Sequence, residues 1–302
     1  MRHSREKRII SRRTLLKYGA ASAVIWPACL KTEAASREEL SFVIVTDTHL
    51  GYRDQDAAAK LWQKTATEIN QSQGKLVLHL GDIVDGGREE QYPIYLESRQ
   101  IIEKPVHEIA GNHDPDELFQ KYIRDDPSRV VEQGWLRFLL INNARRDSHD
   151  GFLSDVQLTW LESQCQQAEH DDRFVFLCMH VPAHPNKHPD RGWYVKPGSG
   201  HDEFDELLGR FQHRIVIVAH GHFHNGIRGW NDRHGVHEVC FPSALYNLNR
   251  GLEEKSAPGF NPLEFRAGYT LVTIRDSAMT LRYKPTGDAA SVEKQCEFGK
   301  NA

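Results

Sequence analysis

From residue 41 onward, short apolar runs alternate with polar stretches of helical pattern, and most of the runs stop at a cluster of Asp, Asn and His. That alternation constrains the fold more than any other feature. Aliphatic and β-branched residues fill the runs 42–46, 75–80, 105–110, 137–141, 173–179 and 215–219, which predicts buried strands. Good helix formers occupy 55–71, and Ser154 with Gln157 forms a capping box ahead of Leu158, Trp160, Leu161 and Cys165 at helical spacing. Past residue 236 the pattern is of strands alone, at 236–241, 269–275 and 279–283. With 302 residues, no internal repeat and no low-complexity stretch, the expectation is one large α/β domain, sheet packed on sheet with helices outside.

Composition limits what such a domain does. At 39% hydrophobic and 26% charged residues, with the apolar content in short runs, the chain is neither a polytopic membrane protein nor a disordered one. The formal charge of −4 conceals an asymmetry: residues 1–35 carry eight Lys/Arg against two Glu, which leaves 30 basic against 40 acidic residues, a net of −10, for the remainder. A surface of that sign argues against stable binding to nucleic acid or anionic membranes.

The basic segment at 1–35 reads as an address rather than as part of the fold. Ser11-Arg12-Arg13-Thr14-Leu15-Leu16-Lys17 precedes thirteen uncharged residues, Tyr18 to Leu30, and small residues follow at Ala34 and Ala35. Such a stretch is too short to span a membrane, and the twin arginines make it resemble a Tat signal. The expectation is a signal peptide, passage through the Tat export machinery in folded form, and a periplasmic or cell-envelope protein with no membrane span once mature. Cys29 as a lipid acceptor is an alternative, although Trp26 fits it poorly. Beyond it lie Cys165, Cys178, Cys240 and Cys296, none in a CxxC pair; Cys178 and Cys240 fall in apolar runs and are expected in the core.

The chemistry gathers at the predicted strand ends. Asp47-Thr48-His49, Gly81-Asp82-Ile83-Val84-Asp85, Gly111-Asn112-His113-Asp114, Met179-His180 and Gly221-His222-Phe223-His224 each follow an apolar run. Ligands collect at the carboxyl ends of strands in α/β sheets, so five clusters from distant positions are expected to converge on one site. Any one of them alone would read as a solvated turn or a satisfied histidine. Carboxylate, amide and imidazole donors with no thiolate suit Mn, Fe, Zn or Co rather than a closed structural zinc site.

Taken together, D-x-H, G-D-x-x-D, G-N-H-D, a lone His after an apolar strand and G-H-x-H resemble the calcineurin-like metallophosphoesterase superfamily across residues 42–224. The resemblance implies that 36–302 form a four-layer αββα sandwich with a metal site at the carboxyl ends of its central strands. It implies two divalent or mixed-valence transition metal ions, one held by Asp47, His49, Asp82 and His224 and the other by Asp82, Asn112, His180 and His222, with Asp82 bridging. It further implies a phosphate ester hydrolase in which a hydroxide between the metals attacks, His113 protonates the leaving alkoxide and Asp85 orients His113. Purple acid phosphatases place a Tyr where Asp85 stands, and the motifs are closer to the class III cyclic nucleotide phosphodiesterases and related glycerophosphodiesterases. Only Asp47 and Asp82 among these ligands are anionic, so two dications would leave the site positive toward a phosphate.

The remaining polar residues carry blander expectations. Asp85 alternatively ends a turn before Gly86-Gly87, and Asp114 caps a helix over 115–122. His79 and His220 are expected in or just behind the strands, and His184, His188 and His201 on the surface. The long connections 184–201 and 247–267 read as functional loops. In the first, Arg191, Trp193 and Tyr194 are candidates to stack on a ring of the substrate and neutralise its phosphate, with Lys196 alongside. The substrate expected is a small-molecule phosphodiester. A phosphomonoesterase of the same fold, a nuclease opposed by the net charge, and a non-catalytic metal-binding envelope protein are the alternatives.

Overall fold

The computed structural model describes residues 37–126, 128–186, 191–247 and 261–299; the expected signal region with Cys29, and His188, lie outside them. In chain order the first elements are β1 (Leu40–Val45), α1 (Gln55–Asn70), β2 (Val77–His79), α2 (Gln91–Arg99), β3 (Val106–Glu108) and α3 (Asp116–Tyr122). Then come β4 (Ser128–Gln133), β5 (Leu136–Ile141), α4 (Asp155–His170), β6 (Phe174–Cys178), α5 (His201–Phe211) and β7 (Ile215–His220). The last are β8 (Arg228–Gly229), β9 (His237–Cys240), a 3₁₀ turn at Pro262–Phe265, β10 (Gly268–Arg275), β11 (Ala278–Pro285) and β12 (Val292–Glu297).

Among the described residues these strands form two six-stranded sheets, ordered β12-β11-β10-β1-β2-β3 and β4-β5-β6-β7-β9-β8. Side-chain alternation decides the layering. In β1, Phe42 and Ile44 face the other sheet, while Val43 and Val45 face Trp62, Ala66 and Ile69 of α1. In β5, Phe138 and Leu140 point into the same central core and Leu139 and Ile141 point out against Leu158 and Leu161 of α4 and Leu207 of α5. The central strands of both sheets are therefore covered on two faces, which is why they read as continuous apolar runs. Phe42 meets Phe138 and Phe176 edge-on at 4.8 and 5.1 Å between ring centres, and each such buried ring contributes roughly 1.5–3 kcal/mol. The result is helix, sheet, sheet, helix, as the resemblance implied.

Central strands β1, β2, β3 and β5, β6, β7, β9 run parallel within their sheets, so their carboxyl ends share one rim. The predicted capping box at Ser154 and Gln157 is present at the start of α4. The polar edge strands β4 and β12 and the helix α2 carry no clear apolar period, whereas α5 does, with Phe204, Leu207, Leu208 and Phe211 at helical spacing and buried on one face. No helix of the described residues is long and apolar enough to cross a membrane.

Three expectations need correction. Asp114 is no helix cap: Pro115 holds that position, and the Asp114 carboxylate accepts from the backbone N–H groups of Ile83, Val84 and Gly111 at 2.9–3.1 Å. His184 is not a surface residue. It is 1% exposed, and its Nδ1 lies 2.7 Å from Glu238 Oε2, a carboxylate that also accepts from the backbone N–H groups of Ala183 and His184. His201 is only half-buried at the start of α5, its ring 5.4 Å from that of His184.

Candidate metal centre

The backbone turns sharply at the strand ends, and it does so at the chemically active residues. Asp47, His49, Asp82, His222 and His224 have φ of 53°, 38°, 52°, 70° and 54°, in the left-handed region. Non-glycine residues there cost on the order of 1–3 kcal/mol each and persist only where neighbours over-determine them. The neighbours are on hand: Asp47 N–H donates to Gly81 O at 2.9 Å and His49 N–H to Asp82 O at 3.0 Å. Glycine is required where these turns touch. A Cβ on Gly111 would collide with Asp82, and one on Gly221 with Thr46 and Asp47.

The five clusters converge. On one side, His224 Nε2 lies 3.0 Å from Asp47 Oδ1 and 3.1 Å from His49 Nε2. On the other, His180 Nε2 lies 3.2 Å from His222 Nδ1 and 3.3 Å from Asn112 Oδ1. Asp82 Oδ2 stands between them, 3.4 Å from His49 Nε2 and 3.2 Å from His180 Nε2. Outer contacts set which ring nitrogen faces inward: His180 Nδ1 lies 2.8 Å from Leu80 O and His224 Nδ1 3.0 Å from Tyr246 O, each as donor to the carbonyl. That leaves the Nε2 lone pairs aimed at one another and at buried carboxylates, an arrangement that calls for a cation between them. The donor sets Asp47, His49, His224 and Asp82, His180, His222 each have ligand atoms within 4.8 Å of one another. Imidazole and carboxylate donors of this kind fit transition metal ions.

Charge follows the same logic. Burial opposes ionisation of Asp47 and Asp82, yet His224 and His180 beside them hold both carboxyls well below the usual range. Burial likewise opposes a charge on His180, but Asp82 and Asp47 outweigh it and push the imidazole up to about 9. His222 goes the other way, lowered by burial and by His180. A proton on His180 thus stands where a cation would neutralise Asp82, so metal binding there would release it.

At the rim, His113 and Asp85 are partly exposed. His113 Nδ1 accepts from Gly86 N–H at 3.2 Å and has Asp85 Oδ1 at 3.4 Å; the first partner suits the neutral ring, the second the protonated one. Burial works against the protonated form, and Asp85 with Asp82 reverses this and raises the pKa above the ordinary histidine value.

A family model described as calcineurin-like phosphoesterase matches residues 40–226. The chain belongs to that family. It is 26% identical over 223 residues to a 3',5'-cyclic-nucleotide phosphodiesterase of Nostoc sp., covering 70% of this chain and 80% of the relative. It is 31% identical over 157 residues to a glycerophosphodiester phosphodiesterase of Enterobacter lignolyticus, covering 48% and 54%. A dimetal phosphatase from Danio rerio shares the fold, with a TM-score of 0.65 at 15% identity over 86% of this chain and 99% of its own. As a member of this family the chain is a hydrolase of phosphate esters.

The cavity beside these groups measures about 140 Å³, and Arg191 and Trp193 line it as the sequence led one to expect. Tyr194 does not: its ring lies under Lys196 Nζ at 3.8 Å and beside His201, outside that lining. Two lining residues escaped sequence reasoning. His149 stacks on Trp193 at 4.2 Å, and Tyr246 packs on His224 at 4.5 Å. Tyr246 stands six residues past the end of β9, too far for the strand-end rule to single it out. His79 and His220 are fully buried, as expected.

Proposed function

We propose that the protein is an exported phosphodiesterase that hydrolyses a small-molecule phosphate ester with two transition metal ions (Mn, Fe, Zn or Co). The observation that carries this reading is Asp82 Oδ2 set between His49 and His180 at the floor of a cavity whose rim holds His113. Asp47, His49, Asp82 and His224 would hold one ion and Asp82, Asn112, His180 and His222 the other. When bound, such ions supply Lewis-acid stabilisation of the phosphoryl oxygens and acidify a water. The chain's own residues do the rest. His113 gives its proton to the departing alkoxide, Asp85 holds the protonated ring in place, and Arg191 with Trp193 borders the substrate.

A diester is favoured over a monoester by the lining. A monoester dianion is best met by clustered cations, whereas among the described residues the lining has Arg191 as its one guanidinium, no lysine, and rings at Trp193, His149 and Tyr246. The relatives named as diesterases support the same choice. The test is metal analysis of the purified protein with turnover of 4-nitrophenyl phosphate and bis(4-nitrophenyl) phosphate in parallel. Two metals per chain and a higher kcat/KM for the diester are expected. Monoester preference makes it a phosphomonoesterase, and two metals without turnover of either makes it a metal-binding envelope protein.

Export rests on the segment Ser11-Arg12-Arg13 and the uncharged stretch behind it. Replacing Arg12 and Arg13 by Lys should retain active enzyme in the cytoplasm; unchanged export overturns the Tat reading.

A further inference from the structure

Tyr246, with Tyr52 stacked on it, forms a second aromatic wall of the cavity, distinct from that of Trp193 and His149. Their rings stack at 4.6 Å with an interplanar angle of 17°. The wall is built in, not draped over the surface. Ser243, fully buried, donates from Oγ to Asp47 O at 2.8 Å and accepts at the same oxygen from the backbone N–H of Leu245 and of Tyr246, at 3.0 and 3.1 Å. Tyr246 O in turn accepts from His224 Nδ1 at 3.0 Å. The backbone of Tyr246 is therefore tied to two residues of the metal centre, while its ring remains part of the cavity lining.

The position of this wall relative to His113 decides what it can touch. The His49 ring is edge-on to His113 at 4.6 Å, and the same ring has Tyr246 at 5.9 Å and Tyr52 at 6.5 Å. His222, by contrast, has Trp193 at 5.3 Å and His149 at 5.7 Å. The tyrosine pair and the proton donor thus flank one imidazole, and the indole wall stands against the other metal position. A cavity of about 140 Å³ is well below the roughly 300–1,000 Å³ of sites that enclose a whole drug-sized ligand, so each arm of a diester meets only the wall nearest to it.

We propose that Tyr246, backed by Tyr52, is a specificity-determining residue that packs on the leaving arm of the diester and selects a flat, ring-bearing alcohol over a short aliphatic one. The inference rests on the phosphodiesterase reading above. Aromatic stacking is non-directional toward ring substituents, so the wall accepts an aryl or nucleoside alcohol equally. Its contribution is made in the ground state and in the transition state alike, and so it acts on KM rather than on kcat.

The experiment compares Tyr246→Ala, Tyr246→Phe and Tyr52→Ala with the wild type on three diesters: bis(4-nitrophenyl) phosphate, methyl 4-nitrophenyl phosphate and glycerophosphocholine. The first two share an aryl leaving arm and differ in the arm that stays; the third has aliphatic arms only. Loss of the Tyr246 ring should raise KM about five- to tenfold for both aryl diesters, the range that an aromatic pair supplies, with kcat and metal content unchanged. KM for glycerophosphocholine should not move, Tyr246→Phe should behave as wild type, and Tyr52→Ala should reproduce the effect in part. A rise confined to bis(4-nitrophenyl) phosphate places the wall on the arm that stays and overturns the proposal, as does an equal rise for all three substrates or for none. Metal loss in both alanine variants makes the wall structural and overturns it too. Absence of diester turnover in the wild type fails the phosphodiesterase reading itself, separately from any variant, and removes the proposal with it.

Discussion

Asp85 Oδ1 stands 3.3 Å from His49 Nδ1. The same oxygen is 3.4 Å from His113 Nδ1, so one carboxylate faces both a proposed metal-ligand histidine and the proposed proton donor. Burial opposes its charge, and the two histidines hold its carboxyl below the usual range. Sequence reasoning assigned it to His113 alone. Asp85→Asn should therefore weaken metal at the Asp47, His49 and His224 position about 10- to 100-fold, the usual effect of removing a ligand's outer partner, besides slowing turnover. Calorimetric titration of the metal-free protein with Mn²⁺ checks this; unchanged affinity with slowed turnover would confine Asp85 to His113.

Asp82→Ala is expected to abolish metal at both positions, since it removes the one carboxylate placed between the two histidine sets and leaves two cations with less to hold them together. Elemental analysis decides it: two metals per chain in this variant would disprove the bridging role.

His113→Ala should keep its metals and lose rate by about 10²- to 10⁴-fold on esters with alkoxide leaving groups, and far less on nitrophenyl esters, whose leaving group needs no proton. A general acid works only while protonated. Wild-type activity on alkyl esters should therefore fall along an alkaline limb as that proton is lost; in the metal-free protein burial is outweighed by Asp85 and Asp82, which raise the His113 pKa, and bound cations would offset the Asp82 part of this. The pH profile of kcat/KM should show that alkaline limb in the wild type and lack it in the variant.

Asp114→Asn tests the corrected role of this residue. Its two oxygens accept from three backbone N–H groups, and an amide offers one acceptor and presents N–H groups to the rest. Burial and the Asp82 charge push the Asp114 carboxyl up to about 6, against those three amides. The substitution should cost about 1–3 kcal/mol, read as a lower urea midpoint at unchanged slope in the metal-free protein at neutral pH. An unchanged midpoint would return Asp114 to a helix-terminal role.

Much of this was legible in one dimension because its causes are local. A strand covered on both faces must be apolar throughout, and a polar residue directly after it sits at the rim, so Asp47, His49, Asp82, Asn112, His180, His222 and His224 announced themselves. Edge strands such as β12 carry no such signature, since VEKQCE has one face in water. Asp114 and His184 were misread for a related reason: apart from Gly111, the partners that bury Asp114, Ile83 and Val84, lie far along the chain, as Glu238 does from His184.

By itself, then, the sequence determined the layers, the strand ends and the donor types of the centre, all set by side-chain alternation and by the chemistry of adjacent residues. Only the tertiary structure decided which groups share a partner: that Asp85 meets His49, that Trp193 and not Tyr194 faces the cavity, and that Tyr246 closes over His224. Those relations depend on distances between residues as much as 177 positions apart, as for Asp47 and His224, and distances of that kind are set by how two sheets pack and not by any local pattern.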